Sequence, residues 1–338
     1  MTPKDRFLNA LAGKPVDRTP VANPTSIVTS DLQEAEGISF PDAHFHAEQM
    51  AALAMAGHTR FGYDVVFPVF AGGTHEAEAL GVPVRWGDKD HMPACEAPIW
   101  QRADDIFVPD DFLDHPAIST PIEAIRILSS EVGDRVGVVG KVYGPWSLAY
   151  HLFGLAPFLK MTIKDPGEVT AILEGLMEPA ILFANAQIEA GADALCWGAH
   201  ITADLIRPEA YSKFLMDIDQ RLVAEINAPL ILHCCGNTMD RIELFNESTM
   251  AAFHFESRND PYQMKNKAAI PLIGNINNTV TLLEGSREDI KREVYRALDA
   301  KIDIIAPECA VPLNAPMDNI KAVAECVEDY YAEDRQVS

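Results

Sequence analysis

The sequence lacks an excess of positive charge. Lysine and arginine contribute 27 residues against 50 aspartates and glutamates, which gives a formal net charge of −23 and a pI near 4.7. A chain of this charge repels nucleic acid and anionic lipid headgroups unless a local basic patch outweighs the average, and the sequence indicates no such patch. We therefore expect neither nucleic acid nor a membrane surface as a partner.

The opening of the sequence does not predict a secretion signal. Its opening residues, MTPKDRFLNALAGKPVDRTP, carry charges throughout. They predict a short amphipathic helical segment over residues 1–18, and not a basic stretch followed by an apolar signal core. No apolar segment stands out as a bilayer-spanning helix. These absences predict a cytoplasmic protein without a membrane span.

Cysteine is scarce for a protein stabilised by disulfides. Six cysteines are spread over 338 residues, and an intracellular chain of that length uses them as free thiols or metal ligands more often than as disulfides. They are Cys95, Cys196, Cys234, Cys235, Cys309 and Cys326. Their positions relative to the predicted strands therefore bear on function.

No G-x-G-x-x-G motif follows the first β-rich run, which argues against a dinucleotide-binding fold. Instead there are eight β-rich runs, and from the third onward each precedes a stretch with helical spacing, such as residues 208–226 and 287–300. Parallel strands need such crossover helices, because a tight turn cannot join them. The runs are residues 19–23, 64–69, 136–142, 193–197, 229–233, 251–256, 271–275 and 302–307. We predict an α/β fold of the (β/α)₈ TIM-barrel type.

The long interval between the second and third predicted strands, about residues 71–135, must hold an excursion. Within it, ALGVPVRWGDKDHMPACEAPI predicts a small β-hairpin, and IEAIRILSSEVG predicts a helix. We interpret the excursion as a rim or lid of the barrel and not as a second domain. Residues 1–338 are accordingly predicted to form a single barrel domain.

Polar residues gather where the predicted strands end, which is where barrel enzymes build their active sites. The fifth strand ends in LILHCCGNT, and because side chains alternate along a strand, His233 and Cys235 share a face that Cys234 does not. The eighth ends in IIAPECAVPLNAP, which brings Cys309 to the same rim. Two thiolates and one imidazole from distant strands are typical ligands of a catalytic zinc ion with an open fourth position. We predict that Zn²⁺ binds to these three side chains.

The sixth predicted strand, ending in FHFES, lies between the two strands that carry the ligands. Its Glu256 is a candidate to fill the fourth zinc position or to orient a ligand from outside the metal shell. A salt-bridged surface carboxylate is an equal alternative. His254 shares the face of Glu256 and is interpreted as a buried barrel histidine with satisfied hydrogen bonds.

Taken together, the motifs resemble a known family. The opening TPKDRFLNALAGKPVDRTPV, then GPWSLA, EAGAD, LHCCGNT, GNINN and APECAVPLNAPMDNIKA, are similar to the methylcobamide:coenzyme M methyltransferase family. That family belongs to the uroporphyrinogen decarboxylase superfamily of (β/α)₈ barrels, and the resemblance covers essentially the whole chain. It implies a methyltransferase of one-carbon metabolism that moves a methyl group between a corrinoid, carried on a partner corrinoid protein, and a small thiol such as coenzyme M.

The resemblance also implies roles for individual residues. The zinc ligands of the family correspond to His233, Cys235 and Cys309, with Glu256 as a candidate displaceable carboxylate. Uroporphyrinogen decarboxylase itself has an arginine-rich N-terminal motif for the propionates of its substrate, whereas TPVANPTSIVTSD in this chain contains no arginine. Decarboxylation of a polyanionic tetrapyrrole is therefore not expected.

The ligand set leaves the direction of transfer open. A zinc-bound thiolate could take the methyl group from a methylcorrinoid, or zinc could activate a methylated donor such as a methoxylated aromatic in a corrinoid-dependent O-demethylase. An apolar mouth would favour the second alternative. The candidate substrate contacts are Trp146, Trp197, His200, Asn275 and Asn277, with Phe67 and Phe70 as further aromatic candidates. For the aromatic rings, ordinary packing is an equal alternative, as turn formation is for the asparagines.

Two other functional classes are less favoured. A zinc hydrolase would use the same ligands to activate water, but two thiolates donate strongly and make zinc a weaker acid. A non-enzymatic role in corrinoid binding or metal storage fits poorly with ligands confined to the catalytic end of a barrel.

Overall fold

The computed structural model describes residues 1–337, with side chains as far as residue 333. The strands are β1 (Val65–Val66), β2 (Val84–Arg85), β3 (Ala94–Cys95), β4 (Gly137–Tyr143), β5 (Ala194–Gly198), β6 (Leu230–Cys234), β7 (Ala252–Phe255), β8 (Leu272–Ile276) and β9 (Ile304–Pro307). The helices are α1 (Pro3–Leu11), α2 (Ser30–Glu36), α3 (Ala47–Thr59), α4 (Thr74–Ala79), α5 (Pro116–Val132), α6 (Pro145–Ala149), α7 (Leu155–Lys164), α8 (Pro166–Gly175), α9 (Met177–Glu189), α10 (Pro208–Phe214), α11 (Met216–Glu225), α12 (Ile242–Phe245), α13 (Pro261–Lys267), α14 (Arg287–Asp299) and α15 (Met317–Val337).

Seven strands form one parallel sheet in the order β1-β4-β5-β6-β7-β8-β9. The two edges of this sheet meet at Val21, which forms a parallel bridge with Ile305 of β9. The carbonyl of Val21 also accepts a hydrogen bond from the N–H of Asp64, at the start of β1. With this bridging segment as the eighth member, the strands close into a ring. The predicted (β/α)₈ barrel is confirmed.

Two of the predicted strands are shorter than the sequence indicated. The run 19–23 is reduced to the bridge at Val21, because Pro20 and Pro24 beside it have no N–H to donate to a ladder. The run 64–69 ends at Val66, two residues before Pro68. The other six predicted runs overlap β4 to β9 and differ from them by at most two residues at either end.

The predicted helices form with altered ends. Residues 208–226 make two helices, α10 and α11, which are separated at Leu215, and residues 287–300 contain α14. In the N-terminal segment only Pro3–Leu11 is helical, because Gly13 takes the left-handed φ of 62° and Pro15 follows it. The excursion contains both of its predicted elements, the antiparallel β2–β3 hairpin and helix α5.

The hairpin is attached to the barrel by aromatic packing. Trp86, which follows β2, lies with its ring centroid 5.2 Å from those of the buried imidazoles of His44 and His75. His44 lies ahead of β1 in the chain, and His75 belongs to α4 after it. The excursion therefore packs onto segments on both sides of β1.

Buried charge fixes the N-terminal segment to β1. The Asp64 carboxylate, only 1% exposed, pairs with Arg6 and with Arg18, the latter at 3.0 Å, and accepts the N–H of Val21 at 2.8 Å. Arg6 also binds the more exposed Asp17 at 2.7 Å. These partners satisfy the buried carboxylate, as an anion in a protein interior requires.

One stretch of the described chain, Pro166–Glu189, has the length and hydropathy of a membrane-spanning helix. Half of its most apolar part is buried inside the molecule, and the stretch is divided into α8 and α9 at Leu176. Helix α9 packs against β4 and α5. Core packing therefore accounts for much of its apolar composition.

Candidate metal centre

Three side chains converge at the carboxyl ends of β6 and β9. His233 is the fourth residue of β6, Cys235 follows the strand, and Cys309 follows β9. Cys235 Sγ lies 3.1 Å from Cys309 Sγ and 3.3 Å from His233 Nε2, and Cys309 Sγ lies 3.6 Å from the same nitrogen. The structure therefore brings together the three residues that the sequence analysis selected, although 74 positions separate the two cysteines in the chain.

The donor set and its spacing fit a zinc ion. Zinc bonds are about 2.3 Å to sulfur and about 2.0 Å to nitrogen, so tetrahedral ligands lie about 3.8 Å apart for two sulfurs and about 3.5 Å apart for sulfur and nitrogen. The nitrogen–sulfur separations match, while the two sulfurs are somewhat closer together. Among the described residues, only this group of three or more histidine, cysteine or carboxylate side chains has its ligand atoms so close together.

The two cysteines share a hydrogen bond. The Cys235 thiol donates to Cys309 Sγ, which raises the pKa of Cys235 and holds the pKa of Cys309 well below its usual range. The adjacent Cys234 is fully buried, and burial raises the pKa of its thiol to about 12. Strand alternation therefore separates a reactive pair from an inert neighbour.

Glu256 supports the cluster from outside. One carboxylate oxygen accepts the N–H of Gly236, the residue after Cys235, and the other binds Arg258 Nε at 2.7 Å. Its oxygens are not part of the converging ligand group. Glu256 therefore holds the loop that carries Cys235, and its role toward a bound zinc ion stays a prediction.

Glu308, which the sequence analysis did not select, holds the other ligand-bearing loop. Its two oxygens accept the N–H groups of Ser257 at 2.8 Å and Asn278 at 2.9 Å. These residues follow β7 and β8, so Glu308 joins three successive loops next to Cys309. Its position in the PEC tripeptide was the available sequence signal, since a carboxylate beside a ligand often orients it.

His254 packs on the back of the ligand histidine. Its ring centroid lies 4.6 Å from that of His233, and its Nε2 is 2.8 Å from the carbonyl of Pro307. Burial, with a further contribution from His233, lowers the pKa of His254 to about 3. This neutral imidazole is buried as the sequence indicated, but its Nδ1 has no hydrogen-bond partner among the described residues, so the expected hydrogen bonds are only partly present.

A buried lysine, which the sequence analysis missed, lies near the cluster. Lys141 of β4 is paired in register with Cys196 of β5, and its Nζ is 5.3 Å from the centre of the Tyr143 ring. No carboxylate lies within ion-pair distance of it among the described side chains. Burial disfavours the ammonium, but a phenol and three thiols nearby more than offset this cost, so the pKa of Lys141 is raised. These groups belong to Tyr143, Cys196, Cys309 and Cys235.

The sequence did contain a signal for Lys141. A single charge interrupts the otherwise apolar run VGVVGKV, and a lysine inside a barrel is rare unless it has a task. The neighbouring Tyr143 is positioned by Glu76, whose carboxylate accepts the N–H groups of Tyr143 and Gly73. Gly73 has a φ of 86°, and a Cβ there would lie 2.3 Å from the Tyr143 ring, so only glycine fits.

The predicted aromatic substrate contacts lie in packing positions. Trp146 and Trp197 are each 1% exposed. Trp197 contacts the side chain of Asp219 in α11, and Trp146 packs edge-on against an aromatic ring of α7. Phe67 and Phe70 are buried as well. These positions favour the packing interpretation over substrate contact.

His200 does lie at the barrel mouth. It follows β5, its backbone N–H bonds to Ser147 Oγ at 2.7 Å, and its ring centroid is 5.4 Å from that of Tyr143. Burial and the nearby His233 lower the pKa of His200 to about 4. A neutral imidazole is therefore available beside the cluster, which keeps substrate contact by His200 as a prediction.

Asn275 and Asn277 both make structural hydrogen bonds. The Nδ2 of Asn275 donates to the carbonyl of Asn259 at 3.1 Å, and that of Asn277 donates to Ser257 Oγ at 2.7 Å. The oxygen of Asn277 also accepts two N–H groups of the turn that follows it. Asn277 therefore has the turn-forming role, whereas Asn275 lies within β8 and not in the turn after it. Substrate contact by these two residues stays a prediction.

Comparisons with known proteins agree with this architecture. A family model described as uroporphyrinogen decarboxylase (URO-D) matches residues 2–330. Methylcobamide:CoM methyltransferase MtaA of Methanosarcina barkeri (strain Fusaro / DSM 804) is 34% identical, with 98% of this chain and 99% of the relative covered. Methylcobamide:CoM methyltransferase MtbA of Methanosarcina acetivorans is 30% identical, with coverages of 97% and 98%.

A solved structure gives the same result. A methyltransferase from Methanosarcina mazei superposes with a TM-score of 0.94 at 31% identity, and the match covers 98% of this chain and 99% of that one. Whole-length similarity of sequence and fold confirms the resemblance stated from the motifs. The chain belongs to the uroporphyrinogen decarboxylase (URO-D) family, and methylcobamide:CoM methyltransferases are among its relatives.

Proposed function

We propose that this protein is a zinc-dependent methyltransferase that moves a methyl group from a corrinoid to a small thiol such as coenzyme M. The observation that carries the proposal is the convergence of His233, Cys235 and Cys309 at the carboxyl end of the barrel, with their ligand atoms within 4.8 Å of one another. The printed names of the relatives, which include a methylated-thiol–coenzyme M methyltransferase at 27% identity, support the same reaction class.

The proposed chemistry is transfer of a methyl group to sulfur. A zinc ion held by the three ligands would bind the substrate thiol as a thiolate, which is the nucleophilic form. The substrate sulfur would form a bond to the methyl carbon while the cobalt–carbon bond of the corrinoid breaks, and the electron pair of that bond would remain on cobalt. The thiol proton leaves to solvent, so the products are a methyl thioether and the reduced corrinoid.

The residues of the chain supply position and charge for this step. Glu256 and Glu308 fix the loops of the two cysteines, which limits the motion of the ligand atoms. Lys141 contributes a positive charge near Cys235 and Cys309. With zinc bound, two cysteine thiolates and a substrate thiolate would together carry one negative charge more than the divalent ion neutralises, and the Lys141 ammonium would balance that charge.

The O-demethylase alternative is not favoured. It depended on an apolar mouth lined by aromatic residues, but Trp146 and Trp197 are buried in packing positions. The relatives at 30% identity or more carry names that specify transfer to coenzyme M. Relatives named uroporphyrinogen decarboxylase match at 25–28% identity.

The methyl donor is proposed to be a corrinoid carried by a separate protein in the cytoplasm. The cluster lies at the ends of the strands, where barrel enzymes admit their substrates. A partner that presents its cofactor at this mouth would form a transient complex, since the cofactor must leave again after each transfer.

The test is a double substitution, Cys235→Ala with Cys309→Ala, and the matched control is Cys234→Ala with Cys326→Ala, two buried cysteines outside the cluster. We expect about one zinc per chain in the unaltered protein and in the control. The cluster variant should lose the metal and the demethylation of methylcobalamin by coenzyme M, while circular dichroism shows that it is folded.

Three results would count against the proposal. Tightly held zinc in the cluster variant refutes the assignment of the ligands. Unchanged methyl transfer after loss of the metal refutes its role in the reaction. Failure of the unaltered protein to transfer a methyl group from any corrinoid to any thiol refutes the proposed activity itself.

A further inference from the structure

A groove lies between helix α7 and the start of helix α10, on the outside of the barrel. Its volume is about 780 Å³, and its apolar wall consists of Leu159, Ile163, Leu205 and Phe214. Ile163 is 83% exposed, and Phe158 is the one fully buried side chain of α7. Within the described molecule, the apolar outer face of this helix therefore has little cover. We call this feature the α7–α10 groove.

The α7–α10 groove is basic, although the protein as a whole is strongly acidic. Lys160, Arg207 and Lys213 line it with a single carboxylate, Glu209, and Lys164 lies beside it on α7. This patch could not be predicted from the sequence, because its residues come from two segments about 50 positions apart. The fold assembles a positive surface on a chain with a net charge of −23.

The cations of the groove are also unusual because they are unpaired. Most lysine and arginine side chains of this protein form ion pairs with a carboxylate, for example Arg221 with Glu174 at 2.6 Å. Among the described side chains, eight cations form no ion pair within 4.0 Å, and half of them belong to this groove or to the adjacent turn of α7. These eight are Lys14, Arg85, Lys141, Lys160, Lys164, Arg207, Lys213 and Lys301. The positive side chains of this groove are therefore available to bind a negatively charged partner.

One loop connects the groove to the mouth of the barrel. Leu205 and Arg207 lie on the same loop after β5 as His200. The π-helical turn that precedes α7 contacts that loop, because Tyr150 Oη donates to the carbonyl of His200 at 3.1 Å. A protein seated in the groove is therefore at the edge of the opening that leads to the metal cluster.

We propose that the α7–α10 groove is the docking surface for the protein that carries the corrinoid, and that this partner presents apolar side chains surrounded by acidic ones. This inference rests on the proposed function. The remaining surface of an acidic enzyme repels an acidic partner, so the basic groove both attracts it and selects its orientation. The exposed apolar wall supplies the contact area that charge alone does not give.

The test reverses two charges in the groove, with Lys160→Glu and Lys213→Glu. The matched control is Lys14→Glu with Lys301→Glu, which changes the net charge equally at two other exposed and unpaired lysines. Two methyl donors are compared at 50 and 200 mM salt. One is free methylcobalamin, and the other is the methylated corrinoid protein of the source organism that the unaltered chain demethylates fastest.

We expect the groove variant to lose at least tenfold in kcat/KM for the protein-bound donor at low salt and to keep its activity with free methylcobalamin. The control should resemble the unaltered chain with both donors. Equal activity of the groove variant with the protein-bound donor overturns the proposal, and so does an equal loss in the control or a loss with free methylcobalamin. If the unaltered chain demethylates free methylcobalamin but no corrinoid protein, the docking proposal is also wrong, while the proposed methyltransferase activity is still supported.

Discussion

Lys141 is the residue whose role follows most directly from its surroundings. It is a buried ammonium on the inner face of β4, with no carboxylate within ion-pair distance among the described side chains and with cysteine thiols among the ionisable groups near it. A lysine in such a place is retained only if something compensates the cost of its burial. A metal site that gains negative charge when a thiolate binds would provide that compensation.

Replacing Lys141 with methionine should lower kcat/KM for the thiol about 10- to 100-fold, because a contact of a charged group is worth about 1.5–3 kcal/mol. Steady-state kinetics with one neutral thiol and one anionic thiol measure the effect. If Lys141 balances the charge of the sulfur, both thiols lose equally. A loss confined to the anionic thiol would show that Lys141 binds a substrate head group instead, and Lys301→Met serves as the control.

Glu256 offers a second test at the residue scale. Because it binds Gly236 N–H and Arg258 and does not join the ligand atoms, Glu256→Ala should weaken zinc affinity about 10- to 100-fold without abolishing binding. Zinc titration against a competing chelator gives the affinity. Glu243→Ala, at an exposed carboxylate paired with Lys267, should leave it unchanged. Complete loss of metal in the Glu256 variant would make Glu256 a ligand.

At the scale of elements, closure of the barrel depends on the segment around Val21, which forms only an isolated β-bridge and no regular strand. Val21 bridges β9 and the start of β1 with few ladder hydrogen bonds, so its attachment relies on side-chain contacts. Asp64 supplies them, since its carboxylate joins the Val21 N–H to Arg6 and Arg18.

Asp64→Asn should therefore lower the free energy of unfolding by about 3 kcal/mol, because it leaves buried arginine charge without its partner. Chemical denaturation gives the value. Asp17→Asn removes the other carboxylate bound to Arg6, but Asp17 is 44% exposed, so the loss should stay below about 1 kcal/mol. Similar losses in the two variants would contradict this account of barrel closure.

At the scale of the whole molecule, acid stability depends on buried histidines that pack the excursion onto the barrel. Burial lowers the pKa of His75 from its ordinary value of 6.5 to about 4, and it lowers the pKa of His44 well below its usual range. As the pH falls below 6.5, the unfolded chain takes up protons that the folded chain does not bind. Stability from this source is therefore complete above pH 6.5 and is lost as the pH falls toward 4.

The unaltered chain should lose stability between pH 6.5 and 4. We expect this loss to be about 3 kcal/mol smaller in His75→Phe, which keeps a ring against Trp86 but has no group to protonate. Free energies of unfolding measured across that range give the difference. The exposed His46→Gln should keep the loss seen in the unaltered chain. An identical pH dependence in the His75 variant would exclude this histidine as its source.

The sequence by itself determined the strand and helix alternation, the class of fold and the three residues of the metal cluster. These follow from local properties, namely apolar periodicity, the alternation of side chains along a strand and the donor chemistry of His233, Cys235 and Cys309. Local sequence also placed most strands within two residues, since no proline interrupts β4 to β8 and Pro307 is the last residue of β9. It overestimated the strands beside Pro20 and Pro68, where hydrogen-bond donors are missing.

Only the tertiary structure decided which side chains meet across long separations. It buried Trp146 and Trp197, two of the candidate substrate contacts, in packing positions. It also directed Glu256 to Gly236 and placed Lys141 near the cluster. It also assembled a basic groove from two segments of an acidic chain. The physical reason is that burial and electrostatic neighbourhood depend on distances in space, which the order of residues along one chain does not specify.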